Sequence, residues 1–384
     1  HKVDSCNTDL HKLFYTPIKS AFIFGGNANG KTNIINIFKL LKGLVLWPTR
    51  SEIDSLVVDT FADNAEPTAI TIKFLKNEKV FVYEIEYVKE YIIRESLMVN
   101  GNVIFSRDED KLIVPTMIEG LKQTIRKNQL LLFFAQSNNV AEAKEAFEWF
   151  ARDVVILPTA QIGLRGSIAQ ILKQDDRLKE KIIAFLQAAD FNIADIELRE
   201  RIQKQIFSFK VEEDTLSLTS EDDALERKVT DIYCVHQESD NSTFVLNLNE
   251  ESAGTKIFLL LAVHILKNRG RDKVFLIDEF DSSLHIKLTE VLMMLFNKWN
   301  KGSQFVVTTH SFDLMDKNLR PDQIFFVEKD RYGKSELYSL FDFDDPALRR
   351  HDYKYKRRYI QGLYGADQIV NLSAIAEVLG VDYE

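Results

Sequence analysis

Cysteine is nearly absent from this chain: Cys6 and Cys234 are the only two among 384 residues. Two cysteines cannot build a disulfide framework or a cysteine-rich metal cluster, so small secreted disulfide scaffolds and zinc-ribbon proteins are excluded. This usage fits a reducing compartment, and we expect a cytoplasmic protein.

Long apolar stretches are also missing. The most apolar segment, residues 257–266, contains His264 and is far shorter than the roughly 20 residues that span a bilayer. The start of the chain lacks the apolar core of a secretory signal. No sustained heptad pattern, internal repeat or Gly/Pro-rich linker is visible, which excludes a protein with long coiled-coil arms. We expect no membrane partner.

Positive charge is in deficit, because 49 Lys and Arg face 58 Asp and Glu and the net charge is −9. A chain coated for general nucleic-acid binding is therefore excluded. One dense basic run, residues 349–359, interleaves tyrosines with Lys and Arg. Two interpretations of this run stay open: contact with nucleic acid or an acidic partner, and a solvated helix face.

The strongest positive signal is the segment GGNANGKT at residues 25–32, which fits the G-x-x-x-x-G-K-[ST] pattern. The apolar run 21–24 before it predicts a buried strand, and residues 33–41 after it have helical apolar spacing. A glycine loop at a helix N-terminus binds phosphate through backbone N–H groups and the helix dipole. The residues predicted to bind nucleotide here are Gly25, Asn27, Asn29, Gly30, Lys31, Thr32 and Asn33.

Two residues of this loop have specific predicted roles with ATP and Mg²⁺. Lys31 is expected to reach the β- and γ-phosphates as a catalytic cation, and the Thr32 hydroxyl to ligate Mg²⁺. A second apolar strand pattern, residues 273–277, ends in Asp278 and Glu279. Asp278 is expected to hold the Mg²⁺, and Glu279 to orient and polarise the attacking water.

Two further motifs indicate which kind of ATPase this is. A third strand pattern, residues 304–309, ends in His310, which resembles the switch histidine of ABC-type ATPases. Ser252 and Gly254 precede the apolar helix pattern 257–266 and resemble an ABC signature motif, where hydroxyl and amide donors meet a γ-phosphate. A core histidine and an ordinary serine N-cap are the alternatives, and the order of the four motifs favours the ATPase interpretation.

Residues 281–285 follow the Asp278-Glu279 pair at the place of a D-loop, which in ABC-type dimers crosses to the partner's site. For His285 we prefer a solvent-exposed turn to a metal role. Gln136 and Gln161 are weak candidates for a Q-loop.

Segments 276–285, 308–315 and 322–330 resemble the ABC-type AAA ATPases of bacterial phage-defence and abortive-infection operons, as do 335–340 and 359–366. This family is similar in its core to overcoming-lysogenization-defect nucleases and structural-maintenance-of-chromosomes (SMC) proteins. The resemblance implies an α/β P-loop NTPase fold: an ABC-type head with a mixed sheet, an antiparallel β-layer and an inserted helical lobe. It also implies a head-to-tail homodimer or higher homo-oligomer and a separate effector, commonly a TOPRIM-type or related nuclease.

Some positions depart from the family pattern. Phe280 stands where Leu or Pro is commoner, and Gly26 and Asn29 replace the usual Ala and Ser of the loop. The chain opens at His1 without the family's initial Asn-Phe-x-Ser strand, which leaves open that an N-terminal piece is missing.

The pattern of apolar residues predicts four parts. Residues 1–125 carry the loop and a β-layer, with strands in 68–87 and 91–105 and hairpin turns at 77–78 and 100–102. Residues 126–235 are expected to form an inserted helical lobe that presents the signature. Residues 236–345 are expected to complete the ATPase core with the signature, the Asp278-Glu279 pair, the D-loop and His310, and residues 346–384 to form a basic C-terminal segment. Helices are expected over 121–132, 140–149 and 166–189, the last continuing through 193–200; strands are expected at 154–157, 212–223 and 226–233.

Two functions stay open. In one, the chain is the sensor or regulatory ATPase of an anti-phage system, answers a phage protein trigger, and controls a separate nuclease or toxin. In the other, it is a recombination-type ATPase that binds DNA directly. Outside the ATPase motifs, the sequence has no cluster of carboxylates, histidines or cysteines with the spacing of a nuclease or metal site. We therefore expect that a separate protein catalyses any cleavage of nucleic acid.

Overall fold

A computed structural model of the chain describes residues 18–58, 64, 66–108, 111–157, 165–205, 209–212, 215–218, 225–299, 302–343, 353–365 and 372–379. Sixteen strands and nine α-helices lie in these ranges. The strands are β1 Ser20–Phe24, β2 Thr68–Lys76, β3 Lys79–Tyr87, β4 Ile92–Val99, β5 Asn102–Asp108, β6 Lys111–Ile113, β7 Val154–Leu157, β8 Asp195–Gln205, β9 Phe209–Glu212, β10 Thr215–Leu218, β11 Leu225–Gln237, β12 Thr243–Asn247, β13 Val274–Ile277, β14 Gln304–Thr308, β15 Ile324–Lys329 and β16 Ser335–Ser339.

The helices are α1 Lys31–Leu46, α2 Leu131–Ser137, α3 Ala141–Glu148, α4 Arg165–Gln174, α5 Asp176–Ala188, α6 Ala253–Lys267, α7 Ile286–Met294, α8 Tyr355–Ile360 and α9 Leu372–Leu379. Short 3₁₀ segments lie at Thr116–Thr124, Phe312–Asp316, Pro321–Gln323 and Leu340–Asp342, and π-helical segments at Trp149–Asp153 and Leu295–Trp299.

The central sheet has six strands in the order β16-β15-β1-β14-β13-β7. Each pair of neighbouring strands in this sheet is parallel, except that β16 pairs antiparallel with β15 at the edge. Strand β1 is buried along its whole length, as expected for an apolar run in a parallel sheet covered on both faces. Because parallel strands end at one edge of the sheet, the segments that follow β1, β13, β14 and β15 meet there.

The predicted β-layer is confirmed as a five-stranded antiparallel sheet in the order β2-β3-β4-β5-β6. Its two predicted hairpin turns are present. Asn77 and Glu78 have φ of 49° and 63°, and Asn100 and Gly101 have φ of 50° and 83°. Two consecutive residues with positive φ are typical of the tight turns that match strand twist.

Two predicted helices are wrong. The segment 193–200 is not a continuation of the helical lobe, because Asp195–Gln205 is a strand paired antiparallel with β11 over its length. The segment 121–132 is a 3₁₀ end followed by a loop, and α2 begins only at Leu131. Asn128 anchors that loop by donating to the Ser51 and Asp54 carbonyls at 2.8 and 2.9 Å, and the Gln129 N–H donates to the Arg126 carbonyl in a turn that is not helical.

The other predicted elements are present with shifted bounds. Strand β7 has the predicted residues, and the helical segment 166–189 is divided into α4 and α5. The predicted strand 226–233 lies within β11; the predicted strand 212–223 overlaps β9 and β10, and its residues 213–214 and 219–223 lie outside the described part. Asp175 divides the two helices because its side chain accepts from the Leu178 N–H as an N-cap.

Two apolar clusters form the core. One lies between the central sheet, α4 to α7 and the C-terminal aromatics; the other joins α1, the β-layer, α2 and α3. No helix in the described part of the chain has the length and apolarity that crossing a bilayer requires.

Candidate phosphate-binding site

The loop between β1 and α1 is shaped by glycines that no other residue could replace without displacement. A Cβ on Gly25 would lie 2.6 Å from the Val327 carbonyl oxygen, and one on Gly30 would lie 2.5 Å from Ser335 Oγ. Gly30 also has φ of 100°, a conformation that side chains disfavour. The loop therefore runs close against β15 and β16, and α1 starts directly after it.

Lys31 is buried inside this loop. Its Nζ donates to the Gly25 and Gly26 carbonyls at 2.8 and 2.9 Å and lies 3.4 Å from His310 Nδ1. Burial lowers the pKa of Lys31, and the carboxylates of Glu279 and Asp278 partly oppose that effect. The ammonium group thus faces the acidic end of β13, as a phosphate-binding lysine should.

Asp278 is held by two hydroxyls. The buried Thr308 donates to its Oδ1 at 2.6 Å, and Thr32 Oγ1 lies 3.4 Å from the same oxygen. Hydroxyl and carboxylate oxygens are the ligands that Mg²⁺ prefers. The donor set at Thr32 and Asp278 therefore fits a magnesium ion, and the glycine cradle fits a polyphosphate.

Glu279 has a strained backbone, with φ of 48°. Its N–H donates to Thr308 Oγ1 at 2.7 Å, and its Oε1 lies 3.2 Å from His310 Nε2. Both side chains are about two-fifths exposed, at 43% for Glu279 and 41% for His310. The Glu279 carboxylate is therefore held by His310 and partly exposed to solvent, an arrangement suited to holding a water molecule.

The other predicted loop residues lie along its outer side. Asn29 donates to the Val327 carbonyl at 3.1 Å, and the Asn33 N–H donates to the Gly30 carbonyl at 3.0 Å. Asn27 and Asn33 are exposed. The loop is thus tied to β15 by Asn29, and Asn27 stays at the surface.

The signature residues lie at the N-terminus of α6. Ser252 is its N-cap and accepts from the Thr255 N–H at 3.1 Å. A Cβ on Gly254 would lie 2.7 Å from the Ser283 carbonyl oxygen, so the signature packs against the D-loop of the same chain. Ser252 thus contacts α6 and Gly254 contacts the D-loop, and neither of these contacts involves Lys31.

The D-loop begins with a half-buried carboxyl. Burial raises the pKa of Asp281, which hydrogen-bonds Thr309, and its Oδ1 is buried without a partner. His285 is exposed and caps α7 by accepting from the Lys287 N–H, as expected for a turn residue. Phe280 is fully buried against Phe22, with ring centroids 5.9 Å apart, so the departure at this position serves packing.

Neither Q-loop candidate gains support. Gln136 lies in α2 and donates to Ser137 Oγ at 2.9 Å, and Gln161 lies outside the described residues.

The basic C-terminal run divides into an apolar and a charged part. Tyr353, Tyr355 and Tyr359 are buried, and Tyr359 packs on Phe326 with centroids 5.4 Å apart. Arg357 of α8 is exposed, Lys356 pairs with Asp313, and the Arg358 guanidinium lies 4.5 Å from the Tyr353 ring centroid. These tyrosines belong to the core, which removes the aromatic component from the nucleic-acid interpretation; residues 349–352 lie outside the described part.

Sequence reasoning missed three residues of the site, namely Thr308, Val327 and Ser335. Thr308 appeared only as a strand residue, although its hydroxyl joins Asp278 to Glu279. A threonine that ends a buried strand beside an acidic strand end is the signal that could have identified it. Ser335 donates to the Asn29 carbonyl at 2.8 Å, a contact that no local pattern reveals.

A family described as "AAA domain, putative AbiEii toxin, Type IV TA system" matches residues 20–316 of the chain. No match was found among curated proteins. Among solved structures, the SMC head bound to the C-winged helix domain of ScpA is 16% identical and covers 84% of this chain and 90% of its own, with a TM-score of 0.39.

Two other SMC heads are similar. The head domain from Thermotoga maritima is 16% identical and covers 83% of this chain and 89% of its own, with a TM-score of 0.38. The head domain with an extended coiled coil bound to the C-terminal domain of ScpA, derived from Pyrococcus furiosus, is 17% identical and covers 84% and 91%, with a TM-score of 0.35. With the family match and the mixed sheet around the glycine loop, the predicted α/β P-loop fold is confirmed.

Proposed function

The chain belongs to the family described as "AAA domain, putative AbiEii toxin, Type IV TA system", and on that premise we propose that it binds ATP with Mg²⁺ and hydrolyses it. The observation that carries the proposal is the convergence of Lys31, Asp278, Glu279 and His310 at the carboxyl edge of the central sheet. Thr32 and Asp278 would hold Mg²⁺, which supplies charge neutralisation on the phosphates.

Lys31 stabilises the transferred phosphate. Its present acceptors, the Gly25 and Gly26 carbonyls, are neutral, and phosphate oxygens are stronger partners for an ammonium group. Because the lysine is already desolvated, its attraction for a phosphate is stronger than that of an exposed cation.

Glu279 holds the attacking water and accepts its proton, while His310 fixes the carboxylate on its other side. The bond from the Glu279 N–H to Thr308 holds the residue in its strained backbone conformation at the end of β13.

Replacing Glu279 with Gln tests this assignment. The variant should bind ATP as the wild type does and lose hydrolysis by about two to four orders of magnitude, since the base is removed and the shape kept. The matched control is Glu290→Gln, which alters a carboxylate of α7 that pairs with Lys317, and this variant should keep full turnover. Full turnover in Glu279→Gln would refute the role of Glu279.

We further propose that two copies bind nucleotide between them. Gly254 packs against the D-loop and Ser252 bonds Thr255 of its own helix, which supports a site completed by the signature of a second chain. A symmetric, isologous pair would then contain two such sites.

We propose that this dimer is the sensor or regulatory subunit of an anti-phage defence system and controls a separate effector. The family's description, which names a putative toxin of a type IV toxin–antitoxin system, supports a role in a toxin–antitoxin system. ATP can shift the assembly only by its differential affinity for two states, and the closed dimer is the natural favoured state.

The purified chain should therefore hydrolyse ATP and leave DNA and RNA uncut with Mg²⁺ or Mn²⁺. Adding the proposed separate effector, a TOPRIM-type or related nuclease, should then produce cleavage under ATP control. Cleavage by the chain alone, lost on mutating its carboxylates other than Asp278 and Glu279, would contradict the proposal.

A further inference from the structure

The two sides of the phosphate loop differ in chemistry. Strands β14 and β13 lie on one side of β1, and β15 and β16 lie on the other. Asp278, Glu279 and His310 all follow β13 or β14, so the terminal phosphate faces that side. The nucleoside end of a bound nucleotide must therefore lie away from β13, and β15 and β16 border the loop on that opposite side.

The two strands that flank the β15–β16 connection contact the loop directly. Asn29 donates to the Val327 carbonyl at 3.1 Å, and Ser335 donates to the Asn29 carbonyl at 2.8 Å. These two bonds hold β15 and the first residue of β16 against Asn29, and the turn 330–334 joins the two strands and ends directly before Ser335.

The turn itself is ordered by Asp330. Its carboxylate accepts from the Tyr332 and Lys334 N–H groups at 2.9 and 2.8 Å, and its N–H donates to the Lys334 carbonyl at 2.9 Å. Gly333 supplies the positive φ of 88° that closes the turn. A turn fixed in this way loses little conformational freedom when a ligand binds.

Tyr332 is the prominent side chain of this turn. It is 72% exposed, although an aromatic ring is costly to leave in water. The Arg331 guanidinium lies 4.7 Å from the ring centroid and covers one face. The exposed part of the ring is the kind of surface on which a nucleobase stacks.

We propose that the turn 330–334 binds the nucleoside end of ATP, with the adenine ring stacked on Tyr332. The inference rests on the proposed binding of ATP at residues 25–32 and names the part of the chain that recognises the base. The phosphate loop then provides affinity for the polyphosphate, and Tyr332 provides the preference for a nucleotide over a bare polyphosphate.

Calorimetric titration with ADP and with pyrophosphate, each with Mg²⁺, tests this division and avoids turnover. The wild type should bind ADP more tightly than pyrophosphate. Tyr332→Ala should weaken ADP binding by about tenfold and leave pyrophosphate binding within about twofold, because stacking acts only on the base. Tyr332→Phe keeps the ring and should bind both ligands as the wild type does.

Two controls locate the effect. Tyr91→Ala removes another exposed aromatic, 46% exposed in a turn of the β-layer, and should change neither affinity. Lys31→Ala should weaken both ligands together.

Unchanged ADP affinity in Tyr332→Ala, or an equal loss for both ligands, would overturn the inference and leave the proposed function standing. If the wild type binds neither ADP nor pyrophosphate, the proposed function fails and the inference fails with it.

Discussion

The phosphate half of the site (residues 25–32, 278, 279, 308 and 310) is held by bonds between distant segments, whereas the signature half (residues 250–256) is held mainly by neighbours. Lys31 meets His310 and Thr32 meets Asp278 across most of the chain. Ser252 instead bonds Thr255, three residues away. The phosphate half is thus held together within one copy, whereas the signature half lies at a helix N-terminus that packs on the D-loop through Gly254.

Among the variants that test this comparison, Ser252→Arg should have the largest effect. A bulky cation at the start of α6 blocks the face offered to a second copy, so hydrolysis should fall at least about a hundredfold. Binding of ATP to the phosphate half should change by no more than about twofold, because no contact joins Ser252 to Lys31. Steady-state turnover and calorimetry measure the two quantities, and Ser252→Thr, which keeps the hydroxyl, is the control. Retained turnover in Ser252→Arg would argue that the signature half plays no part.

Thr308→Val tests whether the buried hydroxyl beneath Asp278 and Glu279 supports the phosphate half. Valine keeps the shape but removes the hydroxyl that serves Asp278 and the Glu279 N–H, so turnover should fall about ten- to a hundredfold and stability by about 1–3 kcal/mol. Thr289→Val, which alters another buried threonine, should cost stability alone. An equal loss of turnover in Thr308→Val and Thr289→Val would contradict a specific role for the Thr308 hydroxyl in the phosphate half.

Acid should affect α6, the helix that begins in the signature half, through His264 in its last turn. Burial lowers the pKa of His264 from 6.5 to about 4, and its Nε2 has no partner. The neutral form is therefore favoured on folding, and its contribution is present above pH 6.5 and lost as the pH falls toward 4. Between these values the wild type should lose up to about 3 kcal/mol more stability than His264→Phe. Urea unfolding at several pH values measures this, and identical pH profiles would contradict it.

Ser335→Ala should have the smallest effect. It removes the donor to the Asn29 carbonyl at the outer edge of the loop, and one exposed hydrogen bond is worth little, so ATP should bind about threefold more weakly. Ser96→Ala removes an exposed hydroxyl from the β-layer and is the control. A loss as large as that of Thr308→Val would show that the outer edge matters as much as the inner one.

The sequence predicted the parts of the site that depend on local order. The glycine loop, the strand before it and the helix after it are consecutive, and the Asp278-Glu279 pair directly follows its strand. The hairpin turns at 77–78 and 100–102 were predictable for the same reason, since turn chemistry is local.

What the sequence did not predict depends on partners far along the chain. Thr308 gains its role only because β14 lies beside β13, which no single segment reveals. The segment 193–200 is a strand because β11, about 30 residues later, pairs with it, and that pairing overrides its helix propensity. The four-part domain division and the roles of the site residues remain predictions.

The measurement that tests the account most directly is ATP turnover in a mixture of Lys31→Ala and Ser252→Arg chains. Each variant alone should be inactive, since one lacks the phosphate half and the other the signature half at every site. Heterodimers contain one site with both halves intact, so an equal mixture should recover up to about a quarter of the wild-type rate. No recovery, with heterodimers confirmed by native mass spectrometry, would contradict the claim that two copies complete the site.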